Sequence, residues 1–363
     1  MNTRKLVSHL LVWFAAFAVF PSVVAAQQPG AAGGWRRWEV EVHGGFGVSS
    51  NPRSGSGDLP PRQRTLPLPT PPLTAPIVPT WFVEGGPIIL NDAIGATRMQ
   101  SIDAALSTLG ADWGRAGAIG ARIARRLSST LAAELSFDYL PGALTITDDA
   151  LFPLREGERT FPVAFEALFA REPETFVNPS ASASLTLSDE GGGQVITAGT
   201  LNVDVGSSPS VRPYLAAGGG VVMYRGATAL ATLVGQYSFA GSGMFPIAQS
   251  DTVVVRDRPG DASFAPVLGG GVRVSRGSWG LRADVRMLVV KDSRSVTVDA
   301  TPATAPGSPA GFVIGGDVRL LSFSNDSSVL RSSLSGSLDD FETFRADGRR
   351  VQTSITFGVF RRF

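Results

Sequence analysis

The sequence predicts an all-β fold, an eight-stranded antiparallel transmembrane β-barrel with three short periplasmic turns and four long extracellular loops. Three observations lead to this prediction. Apolar and polar residues alternate with a period of two in eight segments. The connections between these segments alternate strictly between long and short, and the chain ends on an alternating segment that closes with an aromatic residue.

Each of the eight segments puts apolar side chains on one face and charged or polar side chains on the other. In 130–140, Leu135 and Phe137 share one face, whereas Glu134 and Asp138 share the opposite face. Past the N-terminal apolar run, no stretch approaches the roughly 20 residues of a spanning helix, so a membrane-inserted chain has to be a barrel. The predicted strands are 36–48, 114–127, 130–140, 192–206, 209–224, 263–276, 278–291 and 349–363.

The lengths of the connections predict which end of the barrel carries the loops. The tight connections are Ser128–Ser129, Gly206–Ser208 and Arg276–Gly277, and the long ones are 49–113, 141–191, 225–262 and 292–348. Outer-membrane barrels have this asymmetry, whereas a soluble β-sandwich, the alternative fold, has no reason to place every long loop at one end. A ten-stranded barrel, with Phe312–Phe323 paired near Val329–Leu338, is a second alternative.

The N-terminus predicts export. Arg4 and Lys5 precede the apolar stretch Leu10–Phe20, and Ala26 occupies the last position before a cleavage site, so residues 1–26 read as a secretory signal peptide. The mature barrel domain is then 27–363, and the expected location is the outer membrane of a Gram-negative bacterium.

The composition limits the partners and the kinds of site that the protein can have. The 32 basic and 31 acidic residues nearly balance, which argues against a nucleic-acid partner, and the absence of cysteine removes disulfides and thiolate metal sites. After signal removal His43 is the one remaining histidine, and no serine or acid has a spacing that marks it as a catalytic partner. We therefore expect no enzyme, no cofactor, no metal site and no catalytic residue.

The charged residues inside the predicted strands form the most specific candidate site. By alternation they face the lumen, where opposite charges should pair across strands, because an eight-stranded barrel is just wide enough for its side chains to fill it. A proton or ion pathway is the alternative. The residues are Glu39, Glu41, Arg122, Arg126, Glu134, Asp138, Asp204, Arg212, Arg273, Arg282, Asp284 and Arg286.

The predicted loops contain three notable stretches. Six prolines within Pro67–Thr80 favour a stiff extended segment, which forms neither helix nor ladder. Met99–Leu109 and Phe161–Ala170 have the spacing of short amphipathic helices, and the second has a strongly apolar face. We expect this face to cap the barrel mouth or pack on neighbouring loops, with insertion at the outer leaflet or contact with a host ligand as the alternative.

These features resemble the small outer-membrane β-barrels of the OmpA and opacity-protein type. The resemblance rests on the signal peptide, the strand alternation, the loop layout and the ending GVFRRF, in which Arg361 departs from the aromatic that those families place third from the end. It implies that Phe357, Val359 and Phe363 form a signal read by the barrel-assembly machinery. It also implies outer-membrane lipids and lipopolysaccharide as partners.

The sequence leaves three functions open. The leading hypothesis is a non-enzymatic barrel whose extracellular loops serve an envelope-structural, adhesion or surface-recognition role, including a surface ligand bound through the loops. The second is a narrow channel or transporter for small or hydrophobic solutes. The third is an outer-membrane lipid hydrolase that uses His43 as its base.

Overall fold

The computed structural model describes residues 38–50, 55–60, 63–67, 74–96, 98–108, 110–113, 116–142, 144–171, 173–174, 176–206, 208, 210–226, 228–241, 246–302, 311–313, 320–322, 333–334 and 337–363. The predicted signal peptide, 1–26, lies outside these residues. None of the helices within them is both long enough and apolar enough to cross a membrane.

The described residues form strands β1 (Trp38–Ser49), β2 (Gln63–Pro67), β3 (Thr74–Ile77), β4 (Ala111–Trp113), β5 (Ala116–Arg126), β6 (Leu131–Pro141), β7 (Leu144–Ile146), β8 (Phe176–Glu190), β9 (Gly193–Asp204), β10 (Val211–Arg225), β11 (Thr228–Gly241), β12 (Ile247–Pro259), β13 (Ala262–Arg276), β14 (Trp279–Pro302), β15 (Gly311–Val313), β16 (Leu320–Ser322) and β17 (Leu338–Arg362). They also form helices α1 (Gly85–Ile94), α2 (Asp103–Leu106) and α3 (Asp148–Arg171).

Eight of these strands close into a ring, which we call the ring. Its order is β1, β5, β6, β9, β10, β13, β14 and β17, and every neighbouring pair is antiparallel. Pairing of β17 with β1 completes the closure, with Val359 opposite Val42. Each ring strand overlaps one of the eight segments that the alternation predicts, but β14 and β17 extend well beyond the predicted limits.

The short connections lie at one end of the ring. Between β13 and β14 the chain turns over Gly277 and Ser278, and Gly277 has φ +66°, a left-handed conformation that a side chain disfavours. Between β5 and β6, the Ser128 hydroxyl accepts a hydrogen bond from the Leu131 amide at 3.0 Å, which stabilises the turn. The predicted tight connections are therefore present at these places.

Polarity divides the two faces of the ring. The outward face of β14 carries Leu281, Val285 and Met287, all exposed, whereas Arg282 and Asp284 between them are buried. A soluble protein shows the opposite arrangement. The exposed outward apolar side chains of the ring include Trp38, Val40, Val42, Phe46, Val48, Ile119, Ile123, Phe137, Leu201, Val203, Leu215, Phe264, Leu268, Val274, Phe357 and Val359.

The outward apolar face ends abruptly along β14 and β17. Val289 and Val351 are paired across these strands, and the next outward pair is Lys291 with Arg349. Beyond that point β14 reverses its pattern, because the buried side is now apolar, with Val296 and Val298, and the opposite side is polar. One continuous strand thus passes from an apolar exterior to a polar one.

Past this reversal, β14 and β17 extend into a second sheet that the sequence did not predict. Here β14 pairs with β12, β12 with β11, and β11 with β8, so the order is β17, β14, β12, β11 and β8. We call this sheet and the helices packed on it the head. The prediction that the long connections are loops is wrong here, because parts of them form strands and helices. The alternation in β8 is hard to detect from hydropathy, because many of its positions are serine or alanine.

Helix α3 packs on the head sheet and contributes Leu154, Phe161, Phe165, Leu168 and Phe169 to its buried core. It begins at Asp148, well before the predicted start at Phe161. Both of its prolines, Pro153 and Pro162, lie within the helix, so neither marks its first turn. The helix expected over Met99–Leu109 is shorter and is limited to α2, whereas α1 was not predicted. The apolar face of α3 packs on its neighbours: Phe161 and Phe165 are fully buried.

Two further expectations need correction. The proline-rich stretch does take part in a ladder, because Pro67 in β2 pairs with Thr74 in β3. An isolated two-stranded pair tolerates proline, since one of its edges needs no amide donor. For the ten-stranded alternative, β15 pairs with β16 and neither joins the ring. Most of its other proposed strand lies outside the described residues.

Candidate functional site: the filled interior of the ring

The interior of the ring contains a buried charge network centred on Arg282. Its guanidinium lies 2.6 Å from the Glu134 carboxylate, 3.2 Å from Glu41 and 3.0 Å from Asp284. Arg282 comes from β14, Glu134 from β6 and Glu41 from β1, so the contacts cross the interior and do not merely follow one wall. These contacts join three walls of the ring across its interior.

Four arginines surround the Glu134 carboxylate. Arg282 and Arg286 both donate hydrogen bonds to it, while Arg273 and Arg122 approach within 3.6 Å and 3.9 Å. Glu134 also accepts from the Asn202 amide at 2.8 Å and is only 2% exposed. Removing a single negative charge here would leave several arginines buried with too few acceptors.

The network continues toward the end of the ring that has short turns. The Arg273 guanidinium lies 3.1 Å from the Asp204 carboxylate. The same carboxylate lies 2.9 Å from Arg126 and 3.6 Å from Arg212. On the other side Arg362 donates to Glu39 at 3.0 Å. Contacts of this kind link eleven of the twelve charged residues singled out from the sequence, and Asp138 joins them through His43.

His43 joins the same network. Its Nε2 lies 2.5 Å from Asp138 and its Nδ1 lies 3.6 Å from Glu41. Both ring nitrogens therefore face carboxylates, and none of the contacts recorded among the described residues offers His43 a serine to activate. As geometry for a nucleophile and base this arrangement is poor.

An apolar layer lies above the charged layer, toward the head. Leu140, Ile196, Val222, Val267 and Leu288 point inward from five different ring strands and are each at most 4% exposed. Small residues, among them Ala118 and Ala198, complete the layer. This burial leaves little room for water between the strands at this level.

A second polar cluster closes the ring at the head end. Arg350 is fully buried, donates to Ser49 at 2.9 Å and to the Tyr224 hydroxyl, and lies 3.4 Å from Asp292. Trp113, from the short β4–β7 ladder, stacks on the Tyr224 ring with centroids 5.6 Å apart. The charged layer, the apolar layer and this cluster follow one another along the interior.

The head has its own buried acid, Asp251. One carboxylate oxygen accepts the Thr80 hydroxyl and the Trp81 amide, each at 2.7 Å, and the other oxygen has no hydrogen-bond partner among the described residues. Burial raises the pKa of Asp251 to about 7. Burial also raises the pKa of Asp257, which accepts the Ala111 amide and pairs with Arg294 at 2.7 Å.

Sequence reasoning missed several members of these clusters. Tyr214 donates to Asp284 and stacks under Arg282, at 4.6 Å from ring centroid to guanidinium, and Arg362 lies on the polar face of the last strand. Period-two alternation marks both as inward, so the signal was present. Asp292 and Arg294 lay in a segment assigned to a loop and gave no such signal. The outward residues Phe357, Val359 and Phe363 are all at least half exposed.

No group of three or more histidine, cysteine, aspartate or glutamate side chains suited to a metal ion occurs among the described residues. The acids of the interior face arginines, which compete with any cation for the same oxygens.

Comparison with known proteins gives structural matches alone. No family model matches the chain, and no curated protein matches it. Solved structures that match include the CymD monoaromatic hydrocarbon channel, at 11% identity and a TM-score of 0.18, covering 96% of this chain and 92% of that one. The toluene transporter TbuX of Ralstonia pickettii matches at 10% identity and a TM-score of 0.17, over 90% of each chain. The P. putida toluene transporter TodX matches at 9% identity and a TM-score of 0.17, over 94% and 92%.

At such TM-scores the likeness carries no argument about this chain. Its class is defined by its own architecture, a closed antiparallel ring of eight strands with an apolar exterior and a charged interior. The resemblance to the OmpA and opacity-protein type finds no support in the family models or the curated proteins and stays a prediction.

Proposed function

We propose that the chain is an outer-membrane protein of a Gram-negative bacterium whose ring is a closed transmembrane β-barrel and whose head stands on the cell surface. The observation that carries the proposal is the inverted polarity of the ring, apolar outside and charged inside. Hydrocarbon requires such a surface, because an exposed apolar band of this extent would aggregate in water.

The length of the apolar band supports the proposal. Along β14 the outward band runs from Trp279 to Val289, ten residue steps. At a rise of about 3.3 Å per residue and a strand tilt near 40°, it spans roughly 25 Å, the height of the apolar band of an outer-membrane barrel. The outward pair Lys291 and Arg349 then marks the passage into the headgroups.

Within this proposal the ring is an anchor and the head carries the role, which is envelope-structural, adhesive or one of surface recognition. The filled interior supports a non-conducting, non-enzymatic barrel, since ions would have to separate Arg282 from its three carboxylate partners. The barrel-assembly machinery, outer-membrane lipids and lipopolysaccharide are the partners that such a barrel implies. The termini and short turns would then lie in the periplasm.

A channel for small or hydrophobic solutes is the second candidate function. This candidate is already among those that the sequence leaves open, and the matched structures are themselves named as a monoaromatic hydrocarbon channel and as toluene transporters. Passage of apolar solutes also does not require an open aqueous lumen. A hydrolase based on His43 is the third candidate. Unchanged lipid hydrolysis after His43→Ala would eliminate it.

Three measurements test the membrane barrel and separate the first two candidates. Fractionation with a heat-dependent gel shift tests the membrane barrel. A soluble periplasmic pool without a shift would contradict the proposal. Planar-bilayer recording of the folded protein should give no conductance steps. Uptake of toluene by cells with and without the protein then tests an apolar route, and protein-dependent uptake would favour the channel.

A further inference from the structure

The outer face of the ring carries a basic aromatic patch at the end with short turns, and its members come from five neighbouring strands. Arg125 of β5 pairs with Trp38 of β1, and Trp279 of β14 pairs with both Arg361 of β17 and Arg276 of β13. With Phe363, whose backbone bonds to that of Trp38, these residues form one band, which we call the rim patch.

Aromatic rings hold two of the guanidinium groups in place. The Arg361 guanidinium lies 5.4 Å from the centre of the Trp279 ring and 5.0 Å from that of Phe363, and the Arg125 guanidinium lies 5.4 Å from that of Trp38. Stacking fixes an arginine without using its N–H donors. The donors remain available for a ligand at the surface.

The arginine side chains of the rim patch are not paired with any carboxylate side chain among the described residues. Among the described residues, no ion pair is recorded for Arg125, Arg276 or Arg361, whereas the inward Arg126 and Arg362 at the same end each contact a carboxylate. Trp38, Trp279 and Phe363 are 45%, 55% and 57% exposed. The patch therefore presents three positive charges beside exposed aromatic rings.

The patch covers only part of the circumference. At the same end β6, β9 and β10 present Leu131, Val203 and Val211, which are apolar. From β5 to β13 the patch crosses four strand spacings, a width of roughly 19 Å at about 4.8 Å per spacing. A general aromatic girdle would surround the ring evenly, but this charge is confined to one side.

We propose that the rim patch binds the phosphodiester headgroups of anionic phospholipids in the leaflet at the short-turn end. Arginine offers paired donors that match phosphate oxygens, and the tryptophan rings fit the boundary between acyl chains and headgroups. The inference rests on the proposed function, because these surfaces meet lipid only if the ring spans a membrane.

Native mass spectrometry of the folded full chain, with equal amounts of phosphatidylglycerol and phosphatidylcholine of the same acyl chains, tests the proposal. We expect about tenfold preferential retention of phosphatidylglycerol, since each arginine near an anionic surface favours binding. The triple variant Arg125→Gln, Arg276→Gln, Arg361→Gln should lose this preference. The triple variant Arg98→Gln, Arg155→Gln, Arg159→Gln removes equal charge from exposed positions of the head and should keep it.

Several outcomes would overturn the inference: equal retention of both lipids by the wild type, an unchanged preference in the rim variant, or displacement of phosphatidylglycerol by equimolar inorganic phosphate. Should the rim variant fail to fold, Arg276→Gln alone, at an exposed site without a recorded partner, should lower the preference severalfold. A heat-dependent gel shift is recorded first. A folded ring without lipid preference rejects only the rim patch, whereas absence of the shift rejects the membrane barrel itself.

Discussion

At the scale of single residues, the interior of the ring depends on charge balance more than on any one contact. Glu134 illustrates this, because four arginines from three strands converge on it and it is almost completely buried. Buried ion pairs contribute little relative to an apolar core, but removing one partner from them is costly.

We therefore expect Glu134→Gln to lower the free energy of unfolding by about 3–5 kcal/mol, because it leaves the surrounding arginines buried with excess charge. Denaturant unfolding of the protein in lipid vesicles measures the change. Glu342→Gln is the matched control, since Glu342 pairs with Arg345 on the surface and its loss should not shift the midpoint. Equal unfolding midpoints for Glu134→Gln and wild type would contradict an interior that depends on charge balance.

The raised pKa of Asp251 predicts a pH dependence of the head. An unfolded aspartate titrates near 3.8 and the folded one near 7, so the folded state holds an extra proton between these values. The contribution of Asp251 to stability should be highest below about pH 4, fall by at most about 1.4 kcal/mol per pH unit, and level off above about pH 7. Thermal unfolding followed by fluorescence of the buried Trp81 reports this change.

Asp251→Asn should flatten that profile, because the amide oxygen can still accept from Thr80 and Trp81 but carries no titrating proton. Asp261→Asn, at an exposed site, serves as the control and should leave the profile unchanged. A steep profile that persists in Asp251→Asn would assign the effect to another group.

At the scale of elements, the head has a core separate from the interior of the ring. Phe165 of α3 stacks on Tyr237 of β11 with centroids 4.5 Å apart and contacts the rings of Trp81, Phe161 and Phe169. The apolar layer of the ring belongs to a different cluster. The two parts should therefore lose stability independently, although β14 and β17 run through both.

Phe165→Ala should destabilise the head by about 3–5 kcal/mol through the cavity it leaves, without loss of ring assembly. Hydrogen exchange should accelerate in β11 and β12, while the ring amides stay protected and the heat-dependent gel shift persists. Val163→Ala, at a partly exposed position on the same helix, should have little effect. Loss of the gel shift in Phe165→Ala would show that the ring cannot assemble without the head.

The ring strands other than β14 and β17 were predictable because each keeps one polarity pattern over its whole length. The sequence limits set for β14 and β17 were too short because their pattern inverts near Lys291 and Arg349. A strand whose apolar face changes sides looks like the end of a strand, since period-two reasoning assumes one fixed environment on each face. The sequence predicted only the second part of α3, because Pro162 indicates a helix start as readily as a position inside a helix.

At the scale of the whole molecule, β14 and β17 join the ring to the head, and the reversal of their outward polarity sets the level at which lipid should end. The rim patch defines the other level. Between them the exterior is apolar, and the interior is filled by a charged layer, an apolar layer and the Arg350 cluster. This arrangement supports the proposed function, in which the ring is a membrane anchor that carries the folded head.

Cysteine labelling in intact cells tests this central claim most directly, since the chain contains no cysteine and each introduced thiol is unique. Ser182→Cys lies on exposed β8 of the head, Leu215→Cys on the outward face of the ring and Ser129→Cys in a short turn. We predict that a membrane-impermeant maleimide labels Ser182→Cys in intact cells and Ser129→Cys only after permeabilisation, and leaves Leu215→Cys unlabelled until the protein is unfolded. Labelling of Ser129→Cys in intact cells, or of Leu215→Cys in the folded protein, would contradict a membrane-spanning ring with its head outside.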